Sequence, residues 1–303
     1  MTQVETRPES PSNPPNLFRA FALCGLAYIL ALSVAVAVGY AVSDRHPILV
    51  ALFADVAATM VIYAFSRTFR NASFYDAYWS VAPPAIALYW ALGTASEDAV
   101  TARQVVVLAL VFLWSLRLTY NWARQWRGLK HEDWRYADFR RRTGGWFWLV
   151  DLFGIEMMPT LVVFLGCLSL YPALSAGGNS FGVLDGLAIA VTLGAIVVET
   201  TADEQLRRFA TSKQPGKIMA AGLWAYSRHP NYLGEIAFWW GLFLFGLAAA
   251  PGYWWTVAGP LAITTLFLFV SIPMMEKRNL ERRAGYEEHR KKIPVLIPWI
   301  PKK

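Results

Sequence analysis

The sequence has little charge and only two cysteines. Charged residues make up 16% of its 303 residues, whereas soluble proteins contain about 25%. Hydrophobic residues make up 56% and the mean hydropathy is +0.35, so the composition excludes an ordinary soluble protein. Cys24 and Cys167 both lie inside apolar runs, which indicates buried small side chains rather than a disulfide or a metal site.

Several binding and catalytic motifs are also absent. The sequence contains no Cys-x-x-Cys, no His-Glu-x-x-His, no P-loop and no Gly-x-Gly-x-x-Gly after a predicted strand. These absences argue against the common zinc sites and against a soluble-type dinucleotide-binding domain, and we expect no metal. A net charge of +7 would suggest nucleic acid as the partner of a soluble protein. Here basic loops of a membrane protein explain the charge, and we expect no nucleic-acid partner.

The sequence does contain repeated apolar runs of about 20 residues, the length that crosses a bilayer as a helix. They predict an all-α, polytopic transmembrane helical bundle with about eight spans. The predicted spans are Leu17–Val42, Ile48–Phe65, Phe74–Gly93, Val100–Trp122, Trp146–Leu170, Phe181–Thr201, Tyr232–Ala250 and Trp254–Met275. Residues 1–16 are polar and proline-rich, so we expect a disordered N-terminus followed by a single integral membrane domain over residues 17–303.

Basic residues alternate between the predicted connections. Seven lie between Arg124 and Arg142, and the second, sixth and C-terminal connections are also basic, whereas the alternate loops hold only Arg45 and Arg103. With eight spans, every heavily basic segment falls on one side of the membrane. The positive-inside rule then predicts that both termini are cytoplasmic, and we expect a bacterial inner membrane protein.

Two groups of ionisable residues lie where predicted spans meet the cytoplasm, and such residues are functional hypotheses by default. The first is a stripe on one helix face at i, i+3, i+4 and i+7: Arg117, Tyr120, Asn121 and Arg124. It suits a pocket wall, and the alternative is an interhelical ion pair of Arg117 with Asp76 or Asp151. The second is the series Glu199, Asp203 and Arg207, whose carboxylates suit ribose hydroxyls. Its alternative is a surface Asp–Arg pair worth about 0.3–0.5 kcal/mol.

The stretch Gly222–Phe238 places Arg228, His229 and Pro230 directly before an apolar run. Proline is favoured at the first position of a helix. A polar cluster at a helix N-terminus is a natural site for an anionic cofactor group, and Asn231 and Tyr232 add hydrogen-bonding groups there. The alternative is an interfacial helix start with a snorkelling arginine.

This stretch resembles a known family. AGLWAYSRHPNYLGEI, followed by a span and then MEKRNLERRAGYEEHRKKIPVLIPWIP, is similar to the bacterial steroid 5α-reductase-like membrane proteins, the DUF1295 family. SFYDAYWS and EDWRYADFRRRTGGWFWLVDLF also resemble that family. The resemblance covers roughly residues 45–303 and is densest over 199–303. Isoprenylcysteine carboxyl methyltransferases and sterol reductases have similar endings.

The resemblance implies a seven-helix core that encloses NADPH, with one additional N-terminal span and a lipid substrate that enters from the bilayer. It assigns cofactor contacts to Arg117, Asp203 and Asn231. It makes Asp76 the acid that polarises a substrate carbonyl. The partner tyrosine position reads Trp114, which is a departure, and Tyr120 is the substitute donor.

We therefore predict a membrane-embedded NADPH-dependent reductase of a lipid or steroid-like carbon–carbon double bond. The alternatives are an S-adenosylmethionine-dependent methyltransferase of a lipid or prenylated substrate and a non-catalytic lipid- or sterol-binding membrane protein. The predicted catalytic residues are Asp76 and Tyr120. The predicted cofactor-binding residues are Arg117, Arg124, Glu199, Asp203, Arg207, Arg228, His229, Asn231, Tyr232 and Glu276. In the methyltransferase alternative, the cofactor's amino acid part contacts Arg228, His229, Tyr232 and Glu276.

Overall fold

A computed structural model describes residues 17–130, 132–212 and 216–299, and its described residues form helices with no strand. The α-helices are α1 Leu17–Ala41, α2 Pro47–Phe69, α3 Tyr78–Leu88, α4 Thr101–Ala123, α5 Trp134–Thr143, α6 Phe147–Leu149, α7 Met158–Cys167, α8 Val183–Thr211, α9 Pro230–Ala249, α10 Ala258–Leu266, α11 Ile272–Arg282 and α12 Tyr286–Lys292. The predicted all-α polytopic bundle is confirmed. The disorder predicted for 1–16 lies outside the described residues.

Seven helical stretches within the described part of the chain are long and apolar enough to cross a membrane. Two of them are continuous only through π-helical turns. Val150–Met157 joins α6 to α7, and Phe267–Ser271 joins α10 to α11. The sequence predicts these spans as simple apolar runs and gives no sign of the π turns.

An eighth crossing is shorter than the others. The 11 residues of α3 continue into the 5-residue π-helix Tyr89–Gly93, about 24 Å at 1.5 Å per residue. At one end of this crossing, the Asp133 amide donates to Ser73 Oγ at 3.1 Å. At the other end, Trp90 Nε1 donates to the Pro47 carbonyl at 3.3 Å. Within the described residues, α3 and its π-helix therefore run between the two ends of the bundle at the place of the predicted third span, in addition to the seven helices long enough to cross a membrane.

The two ends of the bundle differ in charge. One end, which we call the basic end, holds the C-termini of α2, α4, α8 and α11 and the N-terminus of α9. Contacts between segments define this end: Arg140 reaches the Arg70 carbonyl at 3.5 Å, and Arg283 donates to the Lys217 carbonyl at 2.9 Å. The predicted charge asymmetry is thus present along the bundle axis. The assignment of the basic end to the cytoplasm remains a prediction.

The closest helix pair, α8 and α9, packs through glycines. A Cβ on Gly234 would lie 2.7 Å from Glu199 Cβ, and one on Gly241 would overlap Thr192 Oγ1. These glycines let the two backbones approach, as small residues do in membrane bundles. Beside this contact, Trp114 of α4 stacks on Phe238 with ring centroids 4.7 Å apart. Cys24 and Cys167 are buried and free, as expected.

Candidate functional site

The segment before α9 is fixed against α8. Gly222 has a φ of 61°, and a Cβ there would lie 2.5 Å from the Gln205 side chain, so glycine suits both the backbone and the contact. The Leu223 amide donates to Gln205 Oε1 at 3.0 Å, and Trp224 Nε1 donates to the Ala202 carbonyl at 3.0 Å. Pro230 then begins α9. This arrangement places Arg228 and His229 at the basic end.

Three side chains from two segments of the chain surround one carboxylate oxygen of Glu276. His229 Nε2 and Tyr286 Oη each lie 2.8 Å from Glu276 Oε1, and Tyr286 donates its hydrogen. Arg228 Nε lies 3.4 Å from the same oxygen. His229 is buried and stacks on Tyr232 with ring centroids 5.2 Å apart. The sequence candidates Arg228, His229 and Glu276 therefore form one cluster, which also contains Tyr286.

A cavity of about 90 Å³ adjoins this cluster. Its polar lining includes Arg228, His229, Asn231, Tyr232 and Tyr286, and its apolar lining includes Leu206, Met219, Trp224 and Met275. Two buried polar atoms on it, Arg228 Nε and Asn231 Oδ1, have no hydrogen-bond partner among the described residues. Since nearly all buried polar groups in proteins are paired, these two atoms are available to a polar ligand.

Two groups of the C-terminal segment have altered proton affinity. Burial, together with the hydrogen bond donated to Glu276, raises the pKa of Tyr286 to about 12. Burial, and then the charge of Arg228, lowers the pKa of His289 below its ordinary value. At neutral pH, Tyr286 is thus a protonated donor and His289 is uncharged. The cationic groups of the cavity lining include Arg283 and Arg228, and Arg228 lies beside Glu276.

Arg117 forms a second cluster between α4 and α8. Its Nη1 donates to Asp203 Oδ2 at 3.0 Å, and its Nη2 lies 2.6 Å from Glu199 Oε2. Asn121 Nδ2 also donates to Asp203 Oδ2, at 2.9 Å, and Asn231 of the cavity hydrogen-bonds to the same carboxylate. The interhelical ion pair considered as the alternative is therefore present, but the example partners Asp76 and Asp151 are wrong, because both partners of Arg117 lie on α8.

Glu235 extends this polar region into the bundle, and no sequence pattern selected it as a site residue. It accepts hydrogen bonds from Trp114 Nε1 at 2.9 Å and from Trp239 Nε1 at 2.8 Å. The i,i+4 spacing of Glu235 and Trp239 was a visible signal. The Trp114 contact joins positions 121 residues apart and has no local signature.

Arg124 and Arg207 lie at the rim and share a partner that the sequence analysis did not consider. Arg207 donates to both carboxylate oxygens of Glu204, at 2.8 and 2.6 Å, and Arg124 donates to Glu204 at 3.2 Å. The predicted Asp203–Arg207 pair is therefore wrong, because Glu204, three residues before Arg207, takes its guanidinium. Both arginines remain predicted cofactor contacts.

The two predicted catalytic residues lie apart from each other. Asp76 accepts a hydrogen bond from Tyr136 Oη at 2.8 Å. Tyr120 is 64% exposed, and the Arg124 guanidinium lies 5.2 Å from its ring centroid. Neither residue lines the cavity. Their catalytic roles remain predictions, and the structure does not bring the two side chains together at the cavity.

Fold and site together define a polytopic membrane protein with a polar cavity at its basic end. Over residues 62–293 the chain matches the family described as protein of unknown function DUF1295, and it belongs to that family. It is 27% identical over 282 residues to an uncharacterised protein of Schizosaccharomyces pombe, with 85% of this chain and 81% of that protein covered.

A shorter match links the chain to a protein named for an activity. It is 34% identical over 90 residues to methanethiol S-methyltransferase 1 of Bradyrhizobium diazoefficiens, with 28% of this chain and 27% of that protein covered. The chain thus spans about a quarter of that relative. This weak relationship suggests an enzyme. No solved structure matches the chain.

Proposed function

We propose that the chain is a membrane-embedded methyltransferase that uses S-adenosylmethionine and methylates a lipid-soluble acceptor. The observation that carries this proposal is the cavity beside Glu276, whose lining includes the guanidinium of Arg228 and the amide of Asn231, each with a buried polar atom that forms no hydrogen bond among the described residues. Arg228 Nε, without a hydrogen bond, suits the carboxylate of an amino acid. Glu276 and Asn231 Oδ1 offer acceptors for an ammonium group.

The donor set therefore fits the zwitterionic end of the cofactor. The volume of about 90 Å³ is several times what one water needs, which suits an amino-acid-sized group. His229, held by Glu276, and the ring of Tyr232 stacked on it form an aromatic wall. Aromatic faces attract ligand cations, and a sulfonium is such a cation.

When bound, S-adenosylmethionine supplies an electrophilic methyl group. The chain's own residues would bind and orient it: Arg228 at the carboxylate, Glu276 at the ammonium, and Tyr286 by fixing the Glu276 side chain. The acceptor would reach the cavity from the bilayer. The short match to a methanethiol S-methyltransferase supports a thiol as the first acceptor to assay.

An NADPH-dependent reductase of a lipid carbon–carbon double bond is the second candidate. It is favoured by the hydrogen bond between Asn231 and Asp203, two residues to which the family resemblance assigns cofactor contacts. Against it, Trp114 is fully buried and its one N–H donates to Glu235. Because tryptophan has no other donor, it has none left for a substrate carbonyl.

Cofactor binding to the purified protein in detergent separates these functions. We expect S-adenosylmethionine to bind and NADPH not to bind, with Arg228→Ala lowering the affinity at least tenfold, which is ~1.4 kcal/mol, below the usual worth of a charged hydrogen bond. Arg290→Ala is the matched control, because its side chain pairs with exposed Glu287. Binding of NADPH alone would replace the proposal with the reductase. Binding of neither would favour the non-catalytic lipid-binding alternative.

A further inference from the structure

A second cavity lies at the basic end, between α2 and α5. It is an open cavity of about 350 Å³, and its lining consists of Arg67, Arg70 and Arg140. None of these residues lines the cavity beside His229. An opening lined by three guanidinium groups attracts anions, and arginine forks match phosphate oxygens in geometry.

The three arginines of this cavity differ in the contacts that their guanidinium groups make. Arg140 Nη2 donates to Glu132 Oε1 at 2.7 Å, and its guanidinium lies 4.0 Å from the centre of the Phe147 ring. Among the described residues, neither Arg67 nor Arg70 forms an ion pair with a carboxylate within 4.0 Å. Nearby on α5, by contrast, Arg141 and Arg142 both pair with Asp138, at 3.1 and 2.8 Å. The cavity therefore has unused guanidinium donors.

Aromatic residues indicate where this cavity lies relative to the membrane surface. Trp146 and Trp148 follow α5 directly and are 69% and 42% exposed. Tyr63 of α2 donates to the Trp148 carbonyl at 3.2 Å, so these residues lie beside the end of α2 that carries Arg67. Exposed tryptophans in membrane proteins concentrate at the headgroup level. The three arginines thus lie at the depth of lipid phosphates.

We propose that Arg67, Arg70 and Arg140 bind the phosphate of an anionic phospholipid. Basic pockets between membrane helices are suited to such headgroups. The nearby acidic groups weaken the site without closing it, because Glu132 is already paired with Arg140. Asp151 is buried, and no basic group of the described residues lies within ion-pair distance of it. This site is independent of the cofactor cavity and of the reaction.

Native mass spectrometry of the detergent-purified full chain with phosphatidylglycerol tests the site. We expect Arg67→Ala/Arg70→Ala to lower the retention of the lipid about tenfold, because each basic residue near an anionic membrane surface contributes measurably to binding. Arg141→Ala/Arg142→Ala removes the same charge from α5 and is expected to leave retention unchanged. Asp151→Asn, which removes a carboxylate that faces Arg140 and Arg67, is expected to increase it.

Inorganic phosphate and phosphatidylcholine separate the possible sources of the phosphate. Inorganic phosphate in excess is expected to leave phosphatidylglycerol bound, and phosphatidylcholine is expected to bind more weakly. Displacement by inorganic phosphate would assign the site to a soluble anion and overturn the lipid proposal. Equal losses in the two double variants, or equal retention of the two lipids, would also overturn it.

Discussion

Two arginines at opposite ends of the bundle, one buried and one half-buried, are held in different ways. Arg103 is fully buried, and its Nε and Nη2 donate to both oxygens of Asp185, at 2.7 and 2.9 Å. Its Nη1 donates to the Asn179 carbonyl at 2.9 Å. At the basic end, Arg228 donates from Nη1 to the Arg290 carbonyl at 3.0 Å, but its Nε has no hydrogen bond.

The difference separates a structural charge from a binding charge. The Nε and both terminal nitrogens of Arg103 have acceptors, so a ligand has little to add there. Arg228 Nε beside the cavity has only a 3.4 Å ion contact with Glu276 and no hydrogen bond, and a donor that lacks a hydrogen bond loses free energy that a ligand can restore. Saturation of hydrogen bonds therefore distinguishes the two ends.

The largest expected effect comes from removing Arg103, whose guanidinium nitrogens all have hydrogen-bond acceptors. Arg103→Ala leaves the Asp185 carboxylate buried without its cation, which typically costs about 3–5 kcal/mol. We expect a large fall in the free energy of unfolding in detergent, and unchanged S-adenosylmethionine affinity per folded molecule. Arg45→Ala is the control, because its pair with Asp44 is exposed at 64% and 75%. Loss of cofactor affinity without loss of stability would break the comparison.

The α8–α9 contact, which supports the start of α9, is the next test. A Cβ on Gly241 would overlap Thr192 Oγ1, and overpacking of this kind costs about 1–3 kcal/mol. We expect Gly241→Ala to lower the unfolding temperature. Gly194→Ala on α8 is the matched control, because nothing lies within 4 Å of its Cβ position. Equal unfolding temperatures for the two variants would contradict close packing at Gly241.

At the unsaturated end, a smaller change in stability should accompany a clear change in binding. Glu276→Gln removes the charge that orients His229, Tyr286 and Arg228. We expect S-adenosylmethionine affinity to fall about tenfold, a loss of ~1.4 kcal/mol, and the free energy of unfolding to change by about 1 kcal/mol. Glu287→Gln, which removes an exposed partner of Arg290, is expected to change neither. A variant with a lower free energy of unfolding and an unchanged affinity per folded molecule would show that Glu276 is structural.

Much of the fold follows from the sequence, because span length and loop charge are local properties. Even the short crossing through α3 was predictable, since the charge alternation requires it. The π turns at Val150–Met157 and Phe267–Ser271 were not, because they depend on packing rather than on composition.

The site was predictable where its residues are close in sequence, as Arg228, His229 and Asn231 are. The site was not predictable where two residues compete for one partner or where partners lie far apart in the sequence. Glu204 and Asp203 both stand within a turn of Arg207, so spacing alone cannot choose between them. Tyr286 reaches Glu276 only because Gly285, with a φ of 78°, turns the chain between α11 and α12.

The smallest expected effect is the pH response of the C-terminal segment, and it sharpens the account of Arg228. The pKa of His289 is lowered from 6.5 by burial and then by Arg228, while Glu276 acts in the opposite direction. The unfolded chain therefore binds this proton more readily than the folded chain. Stability from neutral His289 is fully present above pH 6.5 and is lost as the pH falls through the lower, folded value.

Because His289 is only half-buried, the expected loss is a few tenths of a kcal/mol. It should appear as faster amide exchange in Tyr286–Lys292 at acidic pH, after correction for the intrinsic rates. His289→Gln keeps a polar side chain but cannot charge, so its exchange should respond less to pH. The same pH response in both proteins would show that protonation near Arg228 does not involve His289. The cationic character of the cavity would then be independent of α12 and would be set by the lining arginines Arg228 and Arg283.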